Sequence, residues 1–279
     1  MRQYNFYQYI FWTLSVAIGG LLLGFFLFNI STRVFLFIVG PLEPTSMVVT
    51  TPVQIRAEMH FKRPVPVPKL SISDLQKIES TIKAKAYLVK DLDDNSNLIM
   101  RGSGNKFPIA SVTKLVTAMV TMDNLRGDEI VQISKKAVST TGRQGNLSAG
   151  ERLKVVDLLN CLLLESSNDA AEALAEKLGR EKFLSLMNIM AGEIGMLSTK
   201  FSDPSGLSAL NTSTSDDLSR LIEYIEKSRP DVMSITTRQS YKVIGGTASR
   251  NHFWLNRNRL VRDDNDYYIG GKDGFTSDA

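Results

Sequence analysis

The stretch from Phe107 to Met122, FPIASVTKLVTAMVTM, constrains the fold of this chain more than any other. Apart from Lys114 its residues are apolar, small or threonine, and a helix that is apolar all round lies in a protein core. The pattern therefore predicts a buried helix that Pro108 and Ser111 open. A lysine is rarely buried without a partner, because removing its ammonium from water is costly. Ser111 lies three residues before Lys114, so both side chains project from one face of the predicted helix.

Two interpretations of this pair remain open on the residues alone. Ser111 could be a nucleophile with Lys114 as its base, or Ser111 could cap the helix while Lys114 extends to solvent. The same Ser-x-x-Lys spacing occurs twice more, in polar surroundings that predict a solvated surface, at Ser80 and Lys83 and at Ser103 and Lys106.

Composition excludes several classes of function. The 279 residues carry a net charge of only +4 and no long basic run, which argues against nucleic-acid binding. With two histidines and one cysteine we expect no metal site and no cofactor, and Cys161, inside an apolar segment, is predicted to lie in the core. We interpret one basic cluster as a solvated face: Arg250, His252, Arg257, Arg259 and Arg262.

The N-terminal part of the chain has the pattern of a membrane anchor. Residues 3–32 contain no charge, and Ile10 to Phe28 is almost continuously apolar, about the length that a bilayer-spanning helix needs. A cleavable signal peptide is the competing interpretation, but no small-residue cleavage site closes the run. We therefore predict a single-pass anchor over 1–39 in the cell membrane. Arg2 and Arg33 lie on opposite sides of the uncharged run, so the charges do not settle which side of the membrane the remainder of the chain faces.

Residues 40–72, with six prolines between Gly40 and Leu70, predict an extended linker, and residues 73–279 are predicted to form the folded domain that follows it. A hairpin is predicted from strands 84–91 and 97–101, and a glycine-rich strand from Tyr267 to Thr276. Between them lie predicted helices over Leu153–Leu164, Asp169–Leu178, Arg180–Ala191 and Thr214–Glu226. This order predicts an α+β domain whose antiparallel sheet is built from both ends of the chain around a helical insert.

Two further patterns carry polar residues with catalytic potential. Ser166-Ser167-Asn168 follows the helix that ends at Leu164, and Lys272-Asp273-Gly274 lies on the late strand. Taken alone, Ser166 and Asn168 predict helix capping, and Lys272 predicts a solvated lysine on a strand. Together with Ser111-x-x-Lys114 they resemble the Ser-x-x-Lys, Ser-x-Asn, Lys-Thr-Gly set of penicillin-interacting serine enzymes, with aspartate in place of the threonine.

The resemblance extends over most of the chain, from about Lys83 to Ala279. The segments FPIASVTKLVTAMV, LLLESSNDAAEALAE, FSDPSGLSALNTSTSDDLSRL and GGKDGFTSDA resemble D-alanyl-D-alanine carboxypeptidases, the low-molecular-mass penicillin-binding proteins of bacteria. The implied fold is that of β-lactamases and penicillin-binding transpeptidases. The implied substrate is a peptidoglycan stem peptide, and β-lactam antibiotics would act as acylating inhibitors.

The resemblance also assigns roles. Ser111 would be the acylated nucleophile and Lys114 its base, since desolvation and the nearby cation Lys272 both favour the neutral amine. Ser166 would relay a proton to the leaving D-alanine, and the backbone N–H groups of Ser111 and Phe275 would form the oxyanion hole.

The remaining assignments concern substrate binding. Asn168 would hold the substrate amide, Lys272 would attract the terminal carboxylate, and Gly274 and Thr276 would line the same strand edge beside Phe275.

Two departures from the family bear on activity. Asp273 stands where the family has threonine, which replaces a hydroxyl donor with a carboxylate. The sequence stops at Ala279, whereas family members continue through two more strands and a helix, so we expect an incomplete sheet, weak stability and poor activity. The alternatives to a carboxypeptidase are a β-lactamase-like hydrolase and a catalytically impaired protein that binds penicillin or peptidoglycan.

Overall fold

A computed structural model describes residues 71–142, 145–245, 249–263 and 268–275. The predicted anchor over 1–39 and all but the end of the linker over 40–72 lie outside the described residues. Within the described ranges, no helix is both long enough and apolar enough to cross a bilayer.

The described chain begins with a helix and a hairpin. Helix α1, Ile72–Thr81, starts at a capping box in which Ser71 accepts from the backbone of Asp74 and the Asp74 carboxylate accepts in return. Strands β1, Tyr87–Lys90, and β2, Asn97–Arg101, then pair antiparallel, as the sequence predicts.

Helices form most of the remaining structure. They are α2, Lys114–Asn124; α3, Lys135–Val138; α4, Val155–Leu164; α5, Asn168–Leu178; α6, Arg180–Ile194; α7, Ser215–Ser228; α8, Pro230–Thr236; and α9, Arg259–Arg262. The four longer helices predicted from the sequence are confirmed, with ends that differ by a few residues. Their apolar faces meet in one core, in which the fully buried side chains include Val116, Met119, Leu158, Leu174 and Phe183. Burial of each such side chain stabilises the fold by about 1.5–3 kcal/mol.

Short two-stranded ribbons connect these helices. They are β3, Phe107–Pro108, with β6, Thr212–Ser213; β4, Ile130–Gln132, with β5, Arg152–Lys154; and β7, Ser240–Val243, with β8, His252–Leu255. In the described part of the chain every sheet has two strands, so β1 and β2 pair only with each other. The sheet that the element order predicts from both ends of the chain is therefore not formed among these residues, where it is incomplete.

The predicted helix over Phe107–Met122 starts later than expected. Phe107 and Pro108 belong to β3, residues 110–113 form a 3₁₀ turn, and the α-helix begins at Lys114. The pairing of β3 with β6 holds the first residues extended. Ala110 also has φ +47°, which an α-helix does not permit.

The predicted strand over Tyr267–Thr276 is not formed in its described part, residues 268–275, which is irregular. Gly270 and Gly271 have φ +140° and +148°, outside the strand region for residues with a side chain. The Gly271 N–H bonds to the side-chain oxygen of Thr236 instead of to a neighbouring strand.

One further expectation is wrong. His252, assigned to a solvated basic face, is 4% exposed. Its Nε2 lies 2.6 Å from Glu151 Oε1, and its ring stacks on Trp254. The alternation of β8 turns both aromatic rings inward. Burial alone would raise the pKa of Glu151, but hydrogen bonds from His252 and two backbone N–H groups hold it below the ordinary value.

Candidate active site

Lys114, the first residue of α2, has a completely buried side chain. Its Nζ donates to Ser111 Oγ at 2.9 Å and to Asn168 Oδ1 at 2.8 Å. It also donates to the carbonyl oxygen of Ser205 at 2.5 Å. Three acceptors match the three N–H groups of an ammonium, which is the condition for stabilising a buried charge. The interpretation in which Lys114 extends to solvent is therefore wrong.

Ser111 lies in the 3₁₀ turn that precedes α2, where its side chain is partly exposed. The positions that cap this turn and α2 are Ile109 and Thr113, and neither end has a side-chain capping bond. The helix-capping interpretation of Ser111 is therefore wrong. Its hydroxyl instead lies between solvent and the buried amine of Lys114, where a substrate could reach it.

The connection between α4 and α5 carries the second motif. Ser166 has φ +61°, uncommon for a residue with a β-carbon, and its side chain is completely buried. Its Oγ has no hydrogen-bond partner among the described residues. The cap of α5 is Ser167, whose Oγ accepts from the Ala170 N–H. An unpaired buried hydroxyl is costly, and a catalytic role is one explanation for retaining it.

Asn168 is fixed from both ends of its amide. Its Oδ1 accepts from Lys114, and its Nδ2 donates to the carbonyl oxygen of Thr141 at 2.8 Å. These two bonds determine which end of the amide faces the lysine. Asn168 is the first residue of α5, and Ser167 is its cap, so the capping interpretation of Asn168 is wrong.

A turn after α6, Asp203 to Gly206, supplies the third acceptor of Lys114. The Asp203 carboxylate accepts from several backbone N–H groups of the turn, among them those of Ser205 and Gly206, each at 2.7 Å. Burial alone would raise the pKa of Asp203, but a hydrogen bond from the Ser205 hydroxyl, together with these backbone bonds, outweighs it and holds the pKa below the ordinary value. These hydrogen bonds hold the turn together, and the turn presents the Ser205 carbonyl to the lysine.

Gly206 packs against the nucleophile's own turn. A β-carbon added to Gly206 would lie 1.8 Å from the Ala110 carbonyl oxygen, and its φ is +82°. Only glycine fits at this contact.

The third motif, Lys272-Asp273-Gly274, lies beside the 3₁₀ turn that carries Ser111. A β-carbon on Gly274 would lie 3.0 Å from the Ile109 carbonyl oxygen and 3.3 Å from the Ser111 backbone nitrogen. Lys272 is not a solvated lysine, since its side chain is 2% exposed and its Nζ lies 2.8 Å from Asp273 Oδ1. Phe275 is 80% exposed, and Thr276 lies outside the described residues.

The geometry thus joins residues from four separate segments. One hydrogen-bonded cluster contains Ser111, Lys114, Asn168 and the Ser205 carbonyl, which come from three segments, and Gly274 from a fourth packs against its rim. Sequence reasoning missed the Ser205 carbonyl, because a main-chain acceptor has no residue-type signature. The available signal was the Asp-Pro-Ser-Gly turn itself, in which an aspartate precedes backbone N–H groups that it can bind.

Comparison with known proteins agrees with this arrangement. Residues 73–279 match the D-alanyl-D-alanine carboxypeptidase family. The chain belongs to this family. Its members of known structure share the mixed helix-and-sheet fold of penicillin-binding DD-peptidases, so the predicted fold is confirmed at that level.

Three relatives illustrate the range of the family. The chain is similar to the D-alanyl-D-alanine endopeptidase of Haemophilus influenzae, with 34% identity over 185 residues, which covers 65% of this chain and 62% of that protein. It is similar to the solved D-alanyl-D-alanine carboxypeptidase of Mycobacterium tuberculosis H37Rv, with a TM-score of 0.63, 27% identity and 78% of each chain covered. It is also similar to the Streptomyces K15 DD-transpeptidase, with a TM-score of 0.64, 28% identity and 71% of this chain and 82% of that one covered. The chain spans 62% to 66% of the length of three curated endopeptidase relatives.

Proposed function

We propose that this chain removes the terminal D-alanine from peptidoglycan stem peptides through an acyl-enzyme on Ser111. The observation that carries the proposal is the contact at 2.9 Å between Ser111 Oγ and the completely buried Nζ of Lys114. A serine becomes an effective nucleophile only when a base takes its proton, and Lys114 is placed to do so.

Acylation would require Lys114 to give up one of the three protons that its ammonium donates, so that Nζ has a lone pair to accept the proton of Ser111. Ser111 Oγ attacks the carbonyl carbon of the penultimate D-alanine and its proton passes to Nζ. The backbone N–H groups of Ser111 and Phe275 stabilise the resulting oxyanion, and such donors contribute about 3–4 kcal/mol each. The C–N bond then breaks while Ser166 relays a proton to the leaving amine.

Deacylation and binding use the remaining residues. Water attacks the ester and regenerates Ser111, with Lys114 again handling the proton. Asn168 binds the substrate amide. Lys272, with Gly274 and Thr276 on the same segment, forms the subsite for the end of the peptide.

β-Lactam antibiotics would acylate the same serine, and this provides the test. We expect a labelled penicillin to give a mass adduct on Ser111 and none in Ser111→Ala. The variants Ser80→Ala and Ser103→Ala, in the two exposed Ser-x-x-Lys segments, should retain it. An adduct that persists in Ser111→Ala, or maps to either other serine, would overturn the assignment.

The alternatives give different outcomes in the same assay. A β-lactamase-like hydrolase would release the penicilloyl group within seconds, whereas a carboxypeptidase releases it slowly. A catalytically impaired binding protein is favoured by one observation, the contact of the Asp273 carboxylate with Lys272. It would bind peptides without turning them over.

The proposed cellular location follows from the substrate and from the apolar run Ile10–Phe28. A single-pass anchor over 1–39 and the linker over 40–72 would present residues 73–279 to peptidoglycan outside the cytoplasm. A reporter fused after Ala279 should be active only in its exported form, and activity of a cytoplasmic reporter instead would contradict this topology.

A further inference from the structure

Lys272 and Asp273 form an ion pair between neighbouring residues of the chain. Lys272 Nζ bonds the Asp273 carbonyl oxygen at 2.7 Å and its Oδ1 at 2.8 Å. The lysine side chain is 2% exposed, whereas that of the aspartate is 44% exposed. The group that an approaching ligand meets at this position is therefore a carboxylate, with the cation behind it.

This pair lies close to the nucleophile. The next residue, Gly274, packs against Ile109 and the backbone nitrogen of Ser111, where an added β-carbon would lie 3.0–3.3 Å from them. The charge of Asp273 also acts on its surroundings. Burial is the main reason that the pKa of Tyr268 rises to about 12, and the negative charge of Asp273 adds to the rise. A negative group of a bound peptide would meet the same field.

An ionised carboxylate accepts hydrogen bonds and donates none. It repels the free carboxylate of a peptide that ends in D-alanine, and Lys272 already faces one such charge. A carboxamide at the same place carries no charge and offers two N–H donors. The chemistry at this position therefore distinguishes the two ends of a peptide.

We infer that Asp273 is a specificity-determining residue that selects stem peptides whose residue after the scissile bond ends in a carboxamide instead of a free carboxylate. The inference rests on the proposed function. The reaction is unchanged: the D-alanyl C–N bond breaks, Ser111 Oγ forms the ester, and the leaving group takes up a proton and departs as an amino-acid amide. Water then hydrolyses the ester.

The first experiment measures turnover of two peptides by the full chain. Both are the same blocked tripeptide ending in D-alanyl-D-alanine, one as the free acid and one as the carboxamide. We expect kcat/KM for the carboxamide to exceed that for the acid at least tenfold. In Asp273→Asn and Asp273→Thr this ratio should fall at least tenfold, chiefly because the acid becomes a better substrate. The exposed Asp263, changed to Asn as a control, should leave the ratio unchanged.

The second experiment makes the inference testable without turnover. Calorimetry measures binding of both peptides to Ser111→Ala and to the double variant that adds Asp273→Asn. We expect the carboxamide to bind at least tenfold tighter to the single variant, a difference that the second substitution removes. A binding preference without turnover in the wild-type chain would overturn the proposed function and leave Asp273 as a determinant of binding alone.

The opposite results would overturn the inference. These are turnover or binding that favours the free acid, equal ratios in the wild-type chain and both Asp273 variants, or no binding of the carboxamide. Turnover with equal ratios would retain the proposed function while removing Asp273 as its specificity determinant.

Discussion

Asp169 allows a quantitative prediction. It follows Asn168 as the second residue of α5, and its side chain is 1% exposed. Its Oδ1 has no hydrogen-bond partner among the described residues. Burial raises the pKa of Asp169 from the ordinary 3.8 to about 6, although a backbone hydrogen bond opposes the rise. The native state therefore favours the protonated carboxyl and is destabilised when this group ionises.

The size of the effect follows from that rise. A change from 3.8 to about 6 corresponds to about 3 kcal/mol, since each tenfold change in proton affinity is worth about 1.4 kcal/mol. A neutral amide in Asp169→Asn removes this cost. It also removes the attraction between a charge and the N-terminus of α5, which is worth about 0.3–1 kcal/mol. The net gain at pH 7 is then about 2 kcal/mol, or a melting temperature higher by about 4–8 °C.

The pH dependence separates this reasoning from a packing effect. Because the folded pKa of Asp169 is raised, its stabilising contribution is complete below about pH 4 and is lost as the pH rises through about 6. Urea unfolding of wild type and Asp169→Asn should therefore give similar free energies of unfolding at pH 4 and diverge by pH 7.

Asp216 provides the matched control. It is the second residue of α7 and is partly exposed, so Asp216→Asn should only lose the dipole interaction and cost up to about 1 kcal/mol. If Asp169→Asn is the less stable chain at pH 7, or if its difference from wild type is the same at pH 4 and pH 7, the argument from burial is refuted.

Two further predictions concern the site. Lys114→Met keeps most of the buried stem but no base, so penicillin acylation should fall by about 10²–10⁴-fold. The chain should stay folded with a lower free energy of unfolding, because Asn168 and the Ser205 carbonyl lose their donor. Lys106→Met, in an exposed Ser-x-x-Lys segment, should change neither, and unfolding of the Lys114 variant by circular dichroism would make that lysine structural. Gly206→Ala forces a β-carbon to within 1.8 Å of the Ala110 carbonyl oxygen, and a displacement of about 1 Å there should slow acylation about a hundredfold. Gly150 provides the control, because its φ is also positive, +85°, but nothing lies within 4 Å of an added β-carbon. Gly150→Ala should cost only backbone strain. Equal effects of the two substitutions on acylation would contradict the argument from the clash at Gly206.

The sequence predicted those parts of the structure that depend on side-chain pattern. The apolar stretch after Ser111 predicted a buried helix with Lys114 on it, and Lys114 is completely buried. The alternation of apolar residues predicted the hairpin of β1 and β2. These signals come from residues that are close in sequence, so they predict structure without knowledge of the rest of the chain.

The failures have a different physical origin. A strand forms only when a partner offers its backbone, and the segment 268–275 has glycine φ values that prevent regular pairing. The burial of His252 depends on Glu151, about a hundred residues away in the chain. Neither relation has a local signature, so composition around His252 predicted solvent exposure instead.

The organisation of the site around Lys114 suggests why its surrounding turns are strained. Three segments converge on this ammonium or its serine, and each contains a residue with positive φ: Ala110 at +47°, Ser166 at +61° and Gly206 at +82°. Such conformations cost about 1–3 kcal/mol each for residues other than glycine and persist only when neighbouring contacts enforce them. Here a hydrogen bond to Asp203 holds the backbone of Gly206, and the buried lysine ties the serine turn to the other two segments. The strain and the buried charge are therefore stabilised by the same contacts, so a substitution that relaxes one turn should also loosen the hydrogen bond between Ser111 and Lys114.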